Sequence, residues 1–189
     1  KIILAIPLPA LNKIDIQPAL PLQKQLAIQS VSYTPCARLS IVAPAHIVSK
    51  NPQGGVFSFS DQVGWIRDQS VFQEDTGKKT VINTSLAGDK AKKAMLSFEQ
   101  WENYVNDFFG KTYPSWDQKS TKYYSTILKK AYSSFSVNAY AQQKHLRSTE
   151  GALYFAGEHT DESFASMNAA IKSGIRVAQE VSSSLLNER

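Results

Sequence analysis

The chain has 189 residues and a single cysteine, Cys36. One cysteine excludes an internal disulfide framework and any cysteine-rich zinc site. Free cysteine is among the most buried residue types, so Cys36 is expected to be a packed core thiol. The three histidines, His46, His145 and His159, show no metal-ligand spacing with one another or with acids. No apolar run approaches the ~20 residues that a membrane-spanning helix needs. Pro7 and Pro9 break the first apolar run and no small-residue cleavage site follows, which argues against a signal peptide. A cytoplasmic location without a membrane span is the expectation. There is no P-loop, no G-x-S-x-G nucleophile elbow and no G-x-G-x-x-G dinucleotide fingerprint. The net charge of +5 is not concentrated. Lys78, Lys79, Lys90, Lys92, Lys93, Lys129 and Lys130 alternate with Glu74, Asp75, Asp89, Glu99 and Glu102. That is a solvated surface rather than a stripe of one sign, and no nucleic-acid partner is expected. Asn83-Thr84-Ser85 matches a glycosylation sequon, a pattern that chance produces often.

Hydrophobic residues make up 42% and charged residues 20%, which excludes disordered, collagen-like and coiled-coil chains. A chain of this length buries roughly 70% of its unfolded surface, enough for a core without a staple. It opens on Lys1-Ile2-Ile3-Leu4-Ala5-Ile6-Pro7, without methionine. This reads as a buried strand and suggests a piece of a longer protein. A short helix is predicted over 21–29, with Leu22, Leu26 and Ala27 on its apolar side, and a strand over 37–43. A turn is predicted at 51–55, an alternating strand at 56–60 and a strand at 80–83. Helical spacing runs over 89–109 and ends at Gly110. A strand is expected at 123–128, a polar connection over 138–151 and a buried strand at 152–156. The clearest helix spans 166–186, with Met167, Ala170, Ile171, Gly174, Val177, Ala178, Val181 and Leu185 as its apolar stripe. Strands and helices mix without strict βαβ alternation, which favours an α+β fold.

The chemical content lies near the end. Leu153-Tyr154-Phe155-Ala156-Gly157-Glu158-His159-Thr160 is a strand that delivers a glycine and an acid to a sheet edge. Glycine permits close approach of a ligand to the backbone, and Glu158 can accept hydrogen bonds from ligand hydroxyls. A helix follows, with Ser163 or Ser166 as its cap. Its first N–H groups and positive dipole end favour an electron-rich atom. From spacing alone, an ordinary strand-loop-helix unit accounts for the segment equally well.

This stretch closely resembles the C-terminal flavin-binding motif of the flavin amine oxidases, which include monoamine, polyamine and L-amino acid oxidases. The opening segment resembles the strand and paired prolines that lead into that family's substrate domain. Residues 23–39 resemble its next helix and strand. Lys130-Ala131-Tyr132-Ser133-Ser134-Phe135 looks like the family's segment ahead of the flavin motif. Residues 40–120 match only in length and element order.

The resemblance implies roles residue by residue. Gly157 and Glu158 match positions that meet the ribityl and diphosphate part of FAD. Ser166 and Met167 match a helix start facing the flavin pyrimidine edge. Tyr132 matches an aromatic wall that orients the substrate amine. His159 is read as a supporting or exposed residue, not a catalytic one. Ser166 also falls where monoamine oxidases carry a second tyrosine, so a two-tyrosine cage is not expected. Ala131 falls where those enzymes carry the cysteine that bonds flavin, so FAD binding should be non-covalent. Lys122, beside Tyr123, falls near a common family tryptophan. Arg38 falls where many members have a lysine that holds a water against the flavin. It keeps the charge with a different head group. Three readings stay open for it: altered oxygen chemistry, a substrate-carboxylate partner, or a surface strand residue.

The resemblance therefore implies an α+β chain in three parts. Residues 1–8 would be a strand of the FAD-binding domain. Residues 9–144 would form a mixed-sheet substrate-binding domain flanked by helices. Residues 145–189 would be the C-terminal strand-loop-helix piece of a Rossmann-like FAD domain. The implied reaction is oxidation of a primary or secondary amine, or an amino acid, to an imine by hydride transfer to FAD, with reoxidation by dioxygen. The implied partners are that small-molecule substrate and a missing N-terminal FAD-binding portion, without which FAD would be absent. The alternatives are a desaturase or a protoporphyrinogen-oxidase-like flavoprotein, or a non-catalytic binding module of the same fold.

Overall fold

The structure is a computed structural model that describes residues 1–44, 56–60, 62–69 and 79–187. His46, Glu74, Asp75, Lys78 and the predicted turn at 51–55 lie outside the described residues. The chain divides into two compact units. Unit 1 combines Lys1–Tyr33 with Tyr132–Arg189, and unit 2 is Thr34–Ala131. These bounds differ from the boundaries expected after residues 8 and 144.

In unit 1, β1 (Ile2–Leu4) pairs in parallel with β7 (Leu153–Phe155), with Ile3 opposite Tyr154. Between them come α1 (Leu8–Leu11), α2 (Leu22–Ser30), α5 (Val137–Ala141) and α6 (Gln143–Arg147). The last two replace the polar connection expected over 138–151. Their amphipathic turns bury Ala139, Gln143 and Leu146. Leu8, Leu11, Ala27, Ile28, Leu146 and Phe155 form one core. The helix α7 (Met167–Leu186) closes the unit and packs Val177 against Tyr154 and Ala156.

Three expectations about apolar residues are overturned by the structure. The opening strand is not buried, since Ile2 and Ile3 are about half exposed. On α2 the predicted apolar side faces solvent at Leu22 and Leu26, while Lys24 is only 1% exposed. The cation is accommodated because its ammonium donates to the Ser148 carbonyl and lies over the Phe155 ring. On α7 the buried line is Ala169, Ser173 and Val177, so Met167, Ile171 and Leu185 of the predicted stripe are exposed.

In unit 2 the strands are β2 (Ser32–Pro44), β3 (Val56–Ser60), β4 (Gly64–Asp68), β5 (Lys79–Ala87) and β6 (Lys122–Ser134). They lie side by side in the order β3-β4-β5-β2-β6. The pairs β3·β4, β4·β5 and β2·β5 are antiparallel. β2 enters the unit after Tyr33, and β6 leaves it before Tyr132. Alternation along β2 and β5 buries Ala37, Leu39, Ile41, Ile82, Thr84 and Leu86. Trp101, Val105 and Phe109 complete this core. Cys36 is half-buried at the edge of this alternation, not fully packed, and lies opposite Ala87.

The helix predicted over 89–109 is two helices, α3 (Gly88–Leu96) and α4 (Phe98–Thr112). Ser97, at φ −146° and ψ 81°, ends the first and starts the second. Gly110 does not stop α4, which ends at Thr112. Ala91 and Ala94 of α3 and Trp101, Val105 and Phe109 of α4 nonetheless share one core.

Candidate functional site

The site is the corner of unit 1 where β7 ends and α7 begins. Gly157 has φ +134°, a conformation that favours glycine. A Cβ there would lie 2.4 Å from Cε1 of His159, so that side of the backbone is filled by the protein itself. The Gly157 N–H donates to Ser173 Oγ at 2.9 Å. Its carbonyl accepts from the N–H of Thr160 (3.0 Å) and from the Thr160 hydroxyl (2.8 Å). Glycine is thus required by the turn and by the histidine ring. His159 is buried, and that burial lowers its pKa from 6.5 to about 4, which keeps the ring neutral.

Glu158 accepts three hydrogen bonds. Oε1 takes the Ser133 N–H at 3.1 Å, and Oε2 takes the Ser133 hydroxyl and the Ala165 N–H, the latter at 2.7 Å. The carboxylate therefore ties the end of β6 to the loop that leads into α7. Ala165 has φ +58°, the one non-glycine positive φ among the described residues, and this charge-assisted bond holds it. Further contacts fix the same loop. Asp161 accepts from the N–H and hydroxyl of Ser163, and the Phe164 ring lies 4.6 Å from that of Phe135.

Of the two predicted caps, the structure selects Ser166. Its Oγ accepts the Ala169 N–H at 3.1 Å, whereas the Ser163 hydroxyl is taken up by Asp161. The first-turn N–H groups of Met167 and Asn168 have no intrahelical acceptor. Met167 is 84% exposed, so the start of this long helix opens to solvent. Four of the anticipated site residues, Gly157, Glu158, Ser166 and Met167, are thus joined in one corner.

Tyr132 is half-buried on β6, beside the Ser133 that Glu158 holds. Arg38 is exposed on β2 of unit 2, opposite Ser85 of β5. Ser133, Ala165, Ser173 and Arg176 were not anticipated as site residues. Arg176 donates to the Phe155 carbonyl at 2.8 Å and to Thr160 Oγ1 at 3.2 Å, and it pairs with Glu180 at 2.9 Å. A polar residue one turn apart from another on the buried side of a helix is a weak signal, and Ser173 and Arg176 carry it. Nothing local in the sequence links Ser133 to Glu158.

The arrangement presents backbone donors at a helix start. Among the described residues no group of three His, Cys, Asp or Glu is placed to hold a metal. No described helix is long and apolar enough to cross a membrane.

The family model for flavin containing amine oxidoreductases matches residues 1–182. The chain belongs to that family. It is 24% identical over 188 residues to the nicotine dehydrogenase of Pseudomonas putida (strain DSM 28022 / S16), covering 95% of this chain and 36% of that protein. Among solved structures it is similar to the cyclohexylamine oxidase of Brevibacterium oxydans IH-35A, with a TM-score of 0.78 at 16% identity, covering 99% of this chain and 43% of that one. A putrescine oxidase bound to putrescine gives a TM-score of 0.74 at 18% identity, covering 96% of this chain and 42% of that one. These likenesses establish a shared mixed helix-and-sheet fold. The chain spans less than half the length of the relatives it matches.

The donor set at the start of α7 fits a flavin. The first-turn N–H groups of Met167 and Asn168 suit an electron-rich ring edge. The Glu158 carboxylate, with three internal donors, acts on the loop that presents those groups.

Proposed function

We propose that this chain is the C-terminal portion of an FAD-dependent enzyme that oxidises a primary or secondary amine, or an amino acid, to its imine. The observation that carries the reading is the start of α7. It is a capped helix terminus whose first N–H groups have no intrahelical acceptor, in a family whose members contain flavin. When bound, FAD would supply the two-electron oxidation of the carbon beside the amine, with dioxygen as the final acceptor.

The chain's own residues have separate tasks. Met167, with Asn168 beside it, directs N–H groups and the positive helix end at the electron-rich edge of the ring, which steadies negative charge there. Ser166 holds the first turn in place. Gly157 and Glu158 form the corner assigned to the ribityl and diphosphate part, with Glu158 also fixing Ala165. Ala131 offers no thiol, so the cofactor is held without a covalent bond. Tyr132 is assigned to orienting the substrate amine. Arg38 is assigned to a substrate carboxylate or to the water that serves oxygen chemistry. Residues 1–8 and 145–189 are assigned to the FAD domain, and residues 9–144 mainly to the substrate domain.

Unit 1 exposes Ile2 and Ile3 on β1 and Met167, Ile171 and Ile175 on α7. These apolar faces suit burial by an N-terminal FAD-binding portion. Residues 1–189 alone are accordingly expected to hold FAD poorly.

A second reading keeps amine oxidation and changes the electron acceptor. The likeness to a protein named a dehydrogenase favours it. One assay separates the two: turnover of a panel of amines and amino acids by the flavin-containing protein, with dioxygen or with an artificial acceptor. Turnover with dioxygen supports the oxidase, and turnover with the artificial acceptor alone supports the dehydrogenase. A flavin-loaded protein that turns over with neither overturns both.

A further inference from the structure

We propose that Ser173 and Arg176 are positioning residues that set where the start of α7 stands relative to Gly157, and with it the N–H groups assigned to the flavin edge. The inference rests on the flavin reading of that helix start and names the residues that hold it in place.

Both polar backbone atoms of Gly157 are tied to α7. Its N–H donates to Ser173 Oγ at 2.9 Å. The Ser173 hydroxyl hydrogen goes to the Ala170 carbonyl at 2.7 Å, so the oxygen is turned to accept. The Gly157 carbonyl accepts from the Thr160 hydroxyl at 2.8 Å, and the oxygen of that hydroxyl accepts from Arg176 Nη2 at 3.2 Å. The same Nη2 donates to the Phe155 carbonyl at 2.8 Å. Nη1 donates to both carboxylate oxygens of Glu180, at 2.9 and 3.1 Å, which aims the guanidinium. One planar head therefore links the helix, the end of β7 and the turn after it. Ser173 and Arg176 are three residues apart and share one face of α7.

Apolar packing does not fix this placement. Val177 against Tyr154 and Ala156 favours contact without setting direction. Met167, Ile171 and Ile175 are exposed. The Ser166 cap bonds within the helix start and its own loop, to Ala169 and Ser163. Glu158 holds the loop ahead of the helix, while Ser173 and Arg176 hold its body. A helix rises about 1.5 Å per residue, so this clamp lies roughly 9–14 Å from Met167 along the axis. An axial shift at the clamp moves the helix start by the same amount, and an N–H···O bond tolerates only a few tenths of an ångström.

Arg176→Lys keeps the charge and loses the fork that spans three partners. Ser173→Ala strands the Gly157 N–H. In the full-length, flavin-containing protein, each is expected to weaken stabilisation of the reduced over the oxidised flavin about tenfold, because the positive helix end is displaced. For a two-electron couple that reads as a potential about 30 mV more negative. Leu11→Ala, in the other core of unit 1, is the control. It is expected to lower the melting temperature and leave the potential in place. If Arg176→Lys does not fold, Ser173→Ala decides. Unchanged potentials in a flavin-containing protein overturn the inference and leave the flavin reading standing, as does an equal drop in Leu11→Ala. A full-length wild-type protein without flavin overturns the reading and the inference together.

Discussion

The Glu158 carboxylate accepts the backbone N–H of Ala165 at 2.7 Å, with Ala165 held at φ +58° one residue before the α7 cap. Through its other bonds, to the N–H and hydroxyl of Ser133, the same side chain fixes the end of β6. An acid in this position governs where the helix start points. Glu158→Ala strands two backbone donors and a hydroxyl, and should cost about 2–3 kcal/mol of stability. It should also weaken FAD retention in the full-length protein. Flavin absorbance after gel filtration checks this, and unchanged retention would show that the corner is not a flavin site.

Ser166 separates helix stability from cofactor affinity. Ser166→Ala removes the Oγ acceptor of the Ala169 N–H and should cost about 1 kcal/mol. Ser166→Asp keeps a capping acceptor and adds negative charge at the helix start, so thermal stability should be retained. The same charge opposes the electron-rich ring edge, so flavin affinity should fall. Melting temperature and flavin titration, measured on both variants, check the pair.

His159 and Gly157 form a second coupled pair. Burial lowers the His159 pKa from 6.5 to about 4. As pH falls from 6.5 towards 4, the unfolded chain takes up a proton that the folded chain does not. Stability from this group is therefore lost across that window, on the order of 3 kcal/mol. His159→Gln should flatten the acid limb of a denaturation profile measured against pH. Gly157→Ala would place a Cβ 2.4 Å from the His159 ring at φ +134°. It should cost about 2 kcal/mol or more. Adding His159→Ala should relieve the clash and leave the backbone strain.

Lys24 titrates at the other end of the scale. Its burial, opposed by Glu150 and reinforced by Arg176, lowers its pKa from 10.5 to about 8. As pH falls from 10.5 towards 8, the unfolded state binds the proton first, and folding stability declines by about 2–3 kcal/mol. Lys24→Met keeps the stem and removes the titration, so this group's part of the slope between pH 8 and 10.5 should be lost. Urea midpoints across that range provide the measurement.

The same lysine shows where sequence patterning loses its grip. Helical spacing located α2 within a residue, but hydropathy put Leu22 and Leu26 inside and left Lys24 out. The reverse holds, because a carbonyl from the 148–150 turn and an aromatic face from β7 receive the ammonium, and both are distant in sequence. Period and capping likewise located α7 and narrowed its cap to Ser163 or Ser166. They could not show that Met167 and Ile171 stay uncovered while Ser173 is buried on Gly157. The break at Ser97 was hidden because the apolar spacing continues through it. The motif from Leu153 to Thr160 marked the corner from sequence, since it is contiguous. The bonds that hold it come from Ser133, Ala165 and Ser173, and only folding brings those to Glu158 and Gly157.

The most direct measurement is anaerobic titration of the full-length, flavin-containing protein with small amines and amino acids, followed by visible absorbance. The account predicts that at least one amine bleaches the oxidised flavin band stoichiometrically and that admitting an electron acceptor restores it. A protein that carries flavin which no amine or amino acid bleaches, or one that carries no flavin, would contradict it.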